Sequence, residues 1–194
     1  ESDSLFSAAI KKAGNVVLSG NINNETRISY SDASSAKSNT ISLVEPIDLF
    51  QKENPNPWGF VSVVTDQDAF IRRYLPKRKH LSEEYYAFAL EVLRNYKDIP
   101  STERLIETDN YFQIGDVKML KSRSGLMLIN FYGPAFTFFY LPYQDIIAGK
   151  IPSEFFNNRY VFIGAQAIGL GDVHITPFTT QHQTPGVEVQ ATIL

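Results

Sequence analysis

The sequence predicts a mixed α/β (α+β) fold: a central mixed sheet with helices on its faces, in a single domain. Three observations lead there. Short apolar runs rich in β-branched and aromatic residues recur along the chain. Stretches with helical spacing of apolar residues lie between them. Ten Pro and 11 Gly punctuate both, which suits many turns better than a helix bundle. At 194 residues the length fits one domain.

The elements follow in chain order. Ser4–Ala13 reads as a helix stopped by Gly14. Asn15–Leu18 reads as a strand buried on both faces, because it is nearly all apolar. A weaker strand is expected around Glu25–Ser31. The small polar segment Ser31–Asn39 reads as a surface loop, and so does Lys52–Trp58, with two Pro and two Asn. Gly59–Val64 is a clear strand and Phe70–Tyr74 a weaker one. The best helix is Ser82–Lys97: Ser82 caps it, Glu83 and Glu84 enter its first turn, Lys97 closes it, and Pro100 lies beyond. Tyr111–Ile114 and Leu126–Phe131 are further strands. Tyr143–Ala148 is a helix stopped by Gly149. Tyr160–Gly164, again nearly all apolar, is expected in the sheet centre. A last helix starts near Gly186–Val187 and carries Val189, Ile193 and Leu194.

Composition removes several classes of function. Eighteen Lys plus Arg against 21 Asp plus Glu leave a net charge of −3, which argues against nucleic-acid binding through bulk charge. No cysteine is present, so disulfides, cysteine metal sites and thiol nucleophiles are excluded. No apolar run approaches the ~20 residues that cross a bilayer. The chain opens without Met inside an apparent helix and stops at Leu194 without a polar tail, as expected of a piece of a longer protein.

Chemical motifs are few. The Gly-rich stretch Gly164–Asp172 fails both phosphate-binding patterns: Leu170 and Gly171 follow Gly169 where a P-loop requires Lys and Ser/Thr, and His174 stands where the dinucleotide fingerprint requires its last Gly. It reads instead as a tight turn leaving a buried strand. No nucleophile elbow and no paired-histidine zinc motif is present. Asp172 and His174 share one side of an extended chain and, with Asp66 and Asp68, offer oxygen and imidazole ligands to a cation. A hydrogen-bonded turn is the commoner use of such residues, so no metal and no cofactor are expected. Asp66-Gln67-Asp68 before Arg72-Arg73 suggests a hairpin with paired charges, or a clamp for an anion. The basic run Lys77–His80 reads as a solvated loop rather than a lipid contact. Six aromatics crowd Phe131–Tyr140, read as a strand, a Gly-Pro turn and an edge strand.

Four ordered blocks of residues resemble one family. They are Asp3–Leu18; Trp58–Arg73; Ile129–Pro134 with Tyr143–Pro152; and Phe156–Gly164 with Gly169–Asp172, Thr176-Pro177 and Thr184–Ala191. Their order is similar to the CHASE domain of type two. That family supplies the extracellular sensory module of bacterial adenylate cyclases, histidine kinases, serine/threonine kinases and cyclic-di-nucleotide enzymes. Two positions depart from its pattern. The family's Asp-x-Asp-Gly turn reads Asp66-Gln67-Asp68-Ala69, and its His-Ala near the end reads Gln190-Ala191.

The resemblance implies a sensory input domain spanning 1–194, without the strand–helix units that normally precede the first block. It implies an extracytoplasmic location in a bacterial inner-membrane receptor, attached through flanking transmembrane helices, and no catalysis within these residues. An unidentified small ligand is expected at Asp66, Asp68, Arg72, Tyr132, Asp172, His174 and Thr176, on loops at the carboxyl ends of the central strands. The last helix is expected to relay the signal to the membrane. The alternative is an interaction module that works through a homodimer or a periplasmic protein, using Phe131–Tyr140. A periplasmic hydrolase is a distant third reading.

Overall fold

The computed structural model describes residues 2–31, 34–166 and 171–194. Helices α1 (Ser2–Ala13) and α2 (Asp48–Glu53) flank strands β1 (Ser19–Ser31) and β2 (Ser34–Val44). There follow β3 (Gly59–Phe60), β4 (Val64–Thr65), β5 (Ile71–Tyr74), β6 (Lys77–His80), β7 (Glu83–Tyr86) and α3 (Phe88–Tyr96). Next come β8 (Ile106–Glu107), β9 (Tyr111–Ile114), β10 (Val117–Leu120), β11 (Met127–Leu128) and α4 (Tyr143–Ile147). The chain ends with a 3₁₀ turn (Ser153–Phe156), β12 (Val173–His174), β13 (Thr184–Pro185) and α5 (Gly186–Ile193).

The α+β mixture is the expected class. Its strands, however, are distributed over small sheets of two or three, not one central sheet. The chain also divides into two compact units. One holds Glu1–Val64, Arg73–Leu128 and Leu194; the other holds Thr65–Arg72 and Ile129–Ile193.

In the first unit, α1 turns Ser7 and Ile10 inward, and Gly14 ends it at φ 71°, a left-handed stop suited to Gly. The Ser7 hydroxyl donates to Leu49 O at 2.9 Å, and Phe6 meets Phe50 edge-on at 5.1 Å. Asn15–Leu18 is not a strand. The Asn54 and Asn56 side chains both donate to Val16 O at 3.1 Å, while Leu18 O accepts the Gly59 N–H at 3.0 Å at the threshold of the pairing. Pairing starts later, with β1 parallel to β3 at Ser19↔Gly59 and antiparallel to β2 from Asn21↔Val44 to Ser31↔Ser34. Most of the expected loop Ser31–Asn39 is therefore hairpin. A continuous backbone ladder overrides the small polar composition there.

The expected helix Ser82–Lys97 forms only from Phe88. Its first part pairs with the basic run, Lys77↔Tyr86 through His80↔Glu83, around a turn with Leu81 at φ 54°. Glu84, read as a helix-start charge, instead meets Lys77 Nζ at 3.3 Å, and Lys77 also meets Glu107 at 3.3 Å. Charge pairing across strands overrides the helix signal, and the basic run is a strand. The three-stranded sheet β10-β9-β8 and α3 enclose the core of this unit. Tyr86, Leu90, Leu105, Phe112 and Ile114 form it, with Leu93, Ile99, Met119 and Met127 packed around them.

In the second unit, α4 ends as expected at Gly149, φ 67°. Tyr160–Gly164 is not a strand, and Val161 and Ile163 are exposed. The aromatic segment Phe131–Tyr140 forms loop and turn rather than an edge strand. The antiparallel pair β12–β13 (Val173↔Pro185, His174↔Thr184) leads directly into α5. A parallel bridge joins Phe70 to Ile175, with Ile71 N–H donating to Ile175 O at 2.8 Å.

Candidate functional site

All seven residues expected to contact a ligand fall in the second unit. The turn Asp66–Ala69 is closed by the Ala69 N–H on Asp66 O at 3.0 Å and the Asp66 N–H on Phe70 O at 2.8 Å. Arg72 then reaches back over it. Its Nη1 donates to Asp66 Oδ2 and to Asp68 Oδ1, each at 2.9 Å; its Nη2 donates to Asp68 Oδ2 at 2.8 Å. The guanidinium also lies over the Phe70 ring, 4.6 Å from its centre. The fork matches a carboxylate in two-point geometry. The Arg72 hydrogen bonds hold the Asp68 carboxyl below its ordinary range. Those two carboxylates, Asp68 before Asp66, raise the Arg72 value in turn. An anionic ligand would have to replace one of them.

Asp172 and His174 also meet, Oδ1 to Nε2 at 3.2 Å. Asp172 O accepts the Gly186 N–H at 3.0 Å, and the Asp172 carboxylate lies so close to Gly186 that any side chain there would collide with it. Thr176 is fully buried; its N–H donates to Thr179 Oγ1 at 2.8 Å, and its hydroxyl lies 3.3 Å from that of Thr184. Tyr132 is exposed and meets the Phe138 ring edge-on at 5.9 Å.

The pleat sorts these residues. In-register pairing of Phe70 with Ile175 places Phe70, Arg72 and Ile175 on one face. Ile71, His174 and Thr176 then share the other face, where Ile71 and Thr176 are buried. The structure thus brings together Asp66, Asp68 and Arg72, and separately Asp172 and His174. Gly169 and Leu170, from the rejected phosphate loop, lie outside the described residues. Among the described residues no group of three or more His, Asp or Glu is placed to hold a metal ion.

Sequence reasoning missed Glu188. It lies in the first turn of α5 and is buried. Its carboxylate accepts the N–H groups of Phe136 and Thr137 at 2.8 Å each, that of Phe138 at 3.4 Å, and the Tyr140 hydroxyl at 2.8 Å. Burial, then the bond to Glu188, pushes the Tyr140 hydroxyl well above its ordinary value. One signal pointed there: a lone acid inside the apolar run Val187-Glu188-Val189.

Comparison with protein families adds the decisive observation: the model of the CHASE2 domain matches residues 1–194. The chain belongs to the CHASE2 family. CHASE2 domains are extracellular sensory domains of signalling receptors and are not catalytic. No curated protein and no solved structure matches the chain. Both departures of this CHASE2 domain from the family pattern have a place in the structure. Ala69 occupies a turn position with φ 69°, the left-handed region where Gly is favoured. Gln190 is buried on α5.

Proposed function

We propose that this CHASE2 domain is the input module of a bacterial transmembrane receptor with a cyclase or kinase output. It binds a small anionic ligand on the extracytoplasmic side and relays the event through α5 to the membrane. Arg72, gripped by Asp66 and Asp68, is the contact for the anion, and Tyr132 is a further ligand contact. Asp172 and His174, with Thr176 buried beside them, connect the site to α5.

The observation that carries this reading is the guanidinium fork of Arg72. It is 37% exposed at the side chain and already holds carboxylates in two-point geometry. Support for the relay comes from Gly186, the first residue of α5, which donates its N–H to Asp172 O. The test is thermal stabilisation of the domain across a library of carboxylates, phosphates, other metabolites and ions, repeated with Arg72→Ala and Asp172→Ala. The reading requires a compound that raises the melting temperature of wild type but not of Arg72→Ala. It fails if no compound does so, or if both variants respond like wild type.

Exposed rings support a second reading, an interaction module. Tyr132 is 68% and Phe139 75% exposed. Concentration-dependent sedimentation that is abolished by Phe139→Ser would favour it.

A further inference from the structure

We infer that Glu188 is a clasp: its carboxylate sets the conformation of the loop Pro134–Tyr140 and makes that loop and α5 one opening unit. Successive backbone N–H groups with one residue in the left-handed region form a concave donor cradle for an anion. Phe136, at φ 70°, gives the loop this shape. A bulky side chain rarely accepts that conformation without outside support. Here the occupant of the cradle is a side chain of the same protein. Three N–H donors and a phenol converge on one buried carboxylate, and charged acceptors make the stronger class of hydrogen bond.

The rings of the loop extend the grip. Phe136 meets Tyr140 at 5.7 Å and His182 at 6.0 Å, each near edge-on. On the helix side, Thr192 Oγ1 donates to Glu188 O at 3.0 Å, so the backbone of the clasp residue is tied to the last turn of α5. Loss of the carboxylate leaves three donors facing each other with no acceptor. The strained backbone at Phe136 then keeps the ring contacts and the Thr137 Oγ1 bond to Pro134 O at 2.6 Å, but loses the charged acceptor that gathers its N–H groups. Opening of the loop therefore unlocks the first turn of α5, and unwinding of that turn releases the loop.

The consequence for signalling rests on the relay proposed above; the clasp itself does not. Native-state hydrogen exchange on wild type tests it first. Amides of Phe136 and Thr137 and amides of α5, such as Gln190 and Ala191, should merge into one opening event as denaturant rises. Separate openings overturn the clasp, and this arm needs no variant to fold.

Glu188→Ala should then speed exchange at Phe136 and Thr137 by about 10- to 100-fold, the scale of hydrogen bonds to a charged group. Formate should restore slow exchange by entering the vacated cradle, while chloride at equal ionic strength should not. Glu188→Gln, with one acceptor oxygen in place of two, should fall between. Unchanged exchange in Glu188→Ala, or formate without effect on a folded variant, overturns the inference. A parent receptor whose output ignores Glu188→Ala, while the exchange results hold, removes the relay and leaves the clasp.

Discussion

Arg72 holds Asp68 by both carboxylate oxygens, at 2.9 and 2.8 Å, four residues apart across a tight turn. The same guanidinium binds Asp66, so one cation fixes both ends of the turn. Because the hydrogen bond lowers the folded value of Asp68, its contribution is present above the ordinary carboxyl range near pH 4. It is lost as pH falls through the depressed folded value. Arg72→Lys retains the charge but loses the fork. Exchange of the Phe70 and Ala69 amides should therefore quicken in Arg72→Lys at pH 7. Identical exchange in the two proteins would show that point charge alone closes the turn.

Ala69 predicts a gain. Its φ of 69° costs an L-residue about 1 kcal/mol or more that Gly does not incur. Ala69→Gly should raise the melting temperature by about 2–4 °C for a chain of this length. A lower melting temperature would mean that the entropy Gly adds to the unfolded chain outweighs the relief.

Glu91 predicts an inverted pH dependence. It is 3% exposed, and burial pushes its carboxyl up to about 7; Arg94, whose Nε lies 3.9 Å away, opposes the shift. The Arg94 guanidinium spends its hydrogen bonds elsewhere, on Ser101 O at 3.1 Å and Glu103 O at 2.6 Å. Between the ordinary value of 4.5 and about 7 the folded state binds a proton that the unfolded chain has released. Stability from this group is therefore full below pH 4.5 and lost as pH rises through 7. Glu91→Gln should remove the decline, and at pH 8 it should stabilise by about 3 kcal/mol (2.5 pH units at 1.36 each). Denaturant melts at pH 5 and pH 8 check this; parallel profiles for the two proteins would refute it.

Gly164 predicts a packing conflict. A methyl group there would sit 2.7 Å from Val187 Cβ on α5. Gly164→Ala should destabilise by about 1–3 kcal/mol, the usual scale of overpacking. Adding Val187→Gly, which removes that Cβ, should make the double variant less unstable than the sum of the two single losses, because the two changes share one contact. Additive losses in the double variant would place the cause elsewhere.

What could be read in advance was punctuation. Gly14 and Gly149 end α1 and α4 where expected, and α5 starts at Gly186, within the expected Gly186–Val187. The stop signals are local: a left-handed glycine acts on its own residue. The hairpin Lys77–Tyr86 was missed because its decisive contacts are nonlocal. A lysine seven residues before Glu84 gives no periodic signal, whereas Tyr85 and Phe88 mimic a helix face. Tyr160–Gly164 failed for a related reason. Apolar content calls for burial but cannot supply a neighbouring strand. In the candidate site, Asp66, Asp68 and Arg72 were legible as a charged turn. Glu188 was not, because its partners are backbone N–H groups that any sequence possesses.

The division into two units has a practical consequence for dissecting the gene. The chain passes between them after Val64, Arg72, Leu128 and Ile193. No single cut separates them. A fragment starting at Ile129 would lack Thr65–Arg72, and with it the strand whose Ile71 N–H bonds Ile175 O. Truncation mapping would thus damage both halves at once. Point substitutions, or a cyclised and reopened chain, are the tools suited to assigning a task to either one.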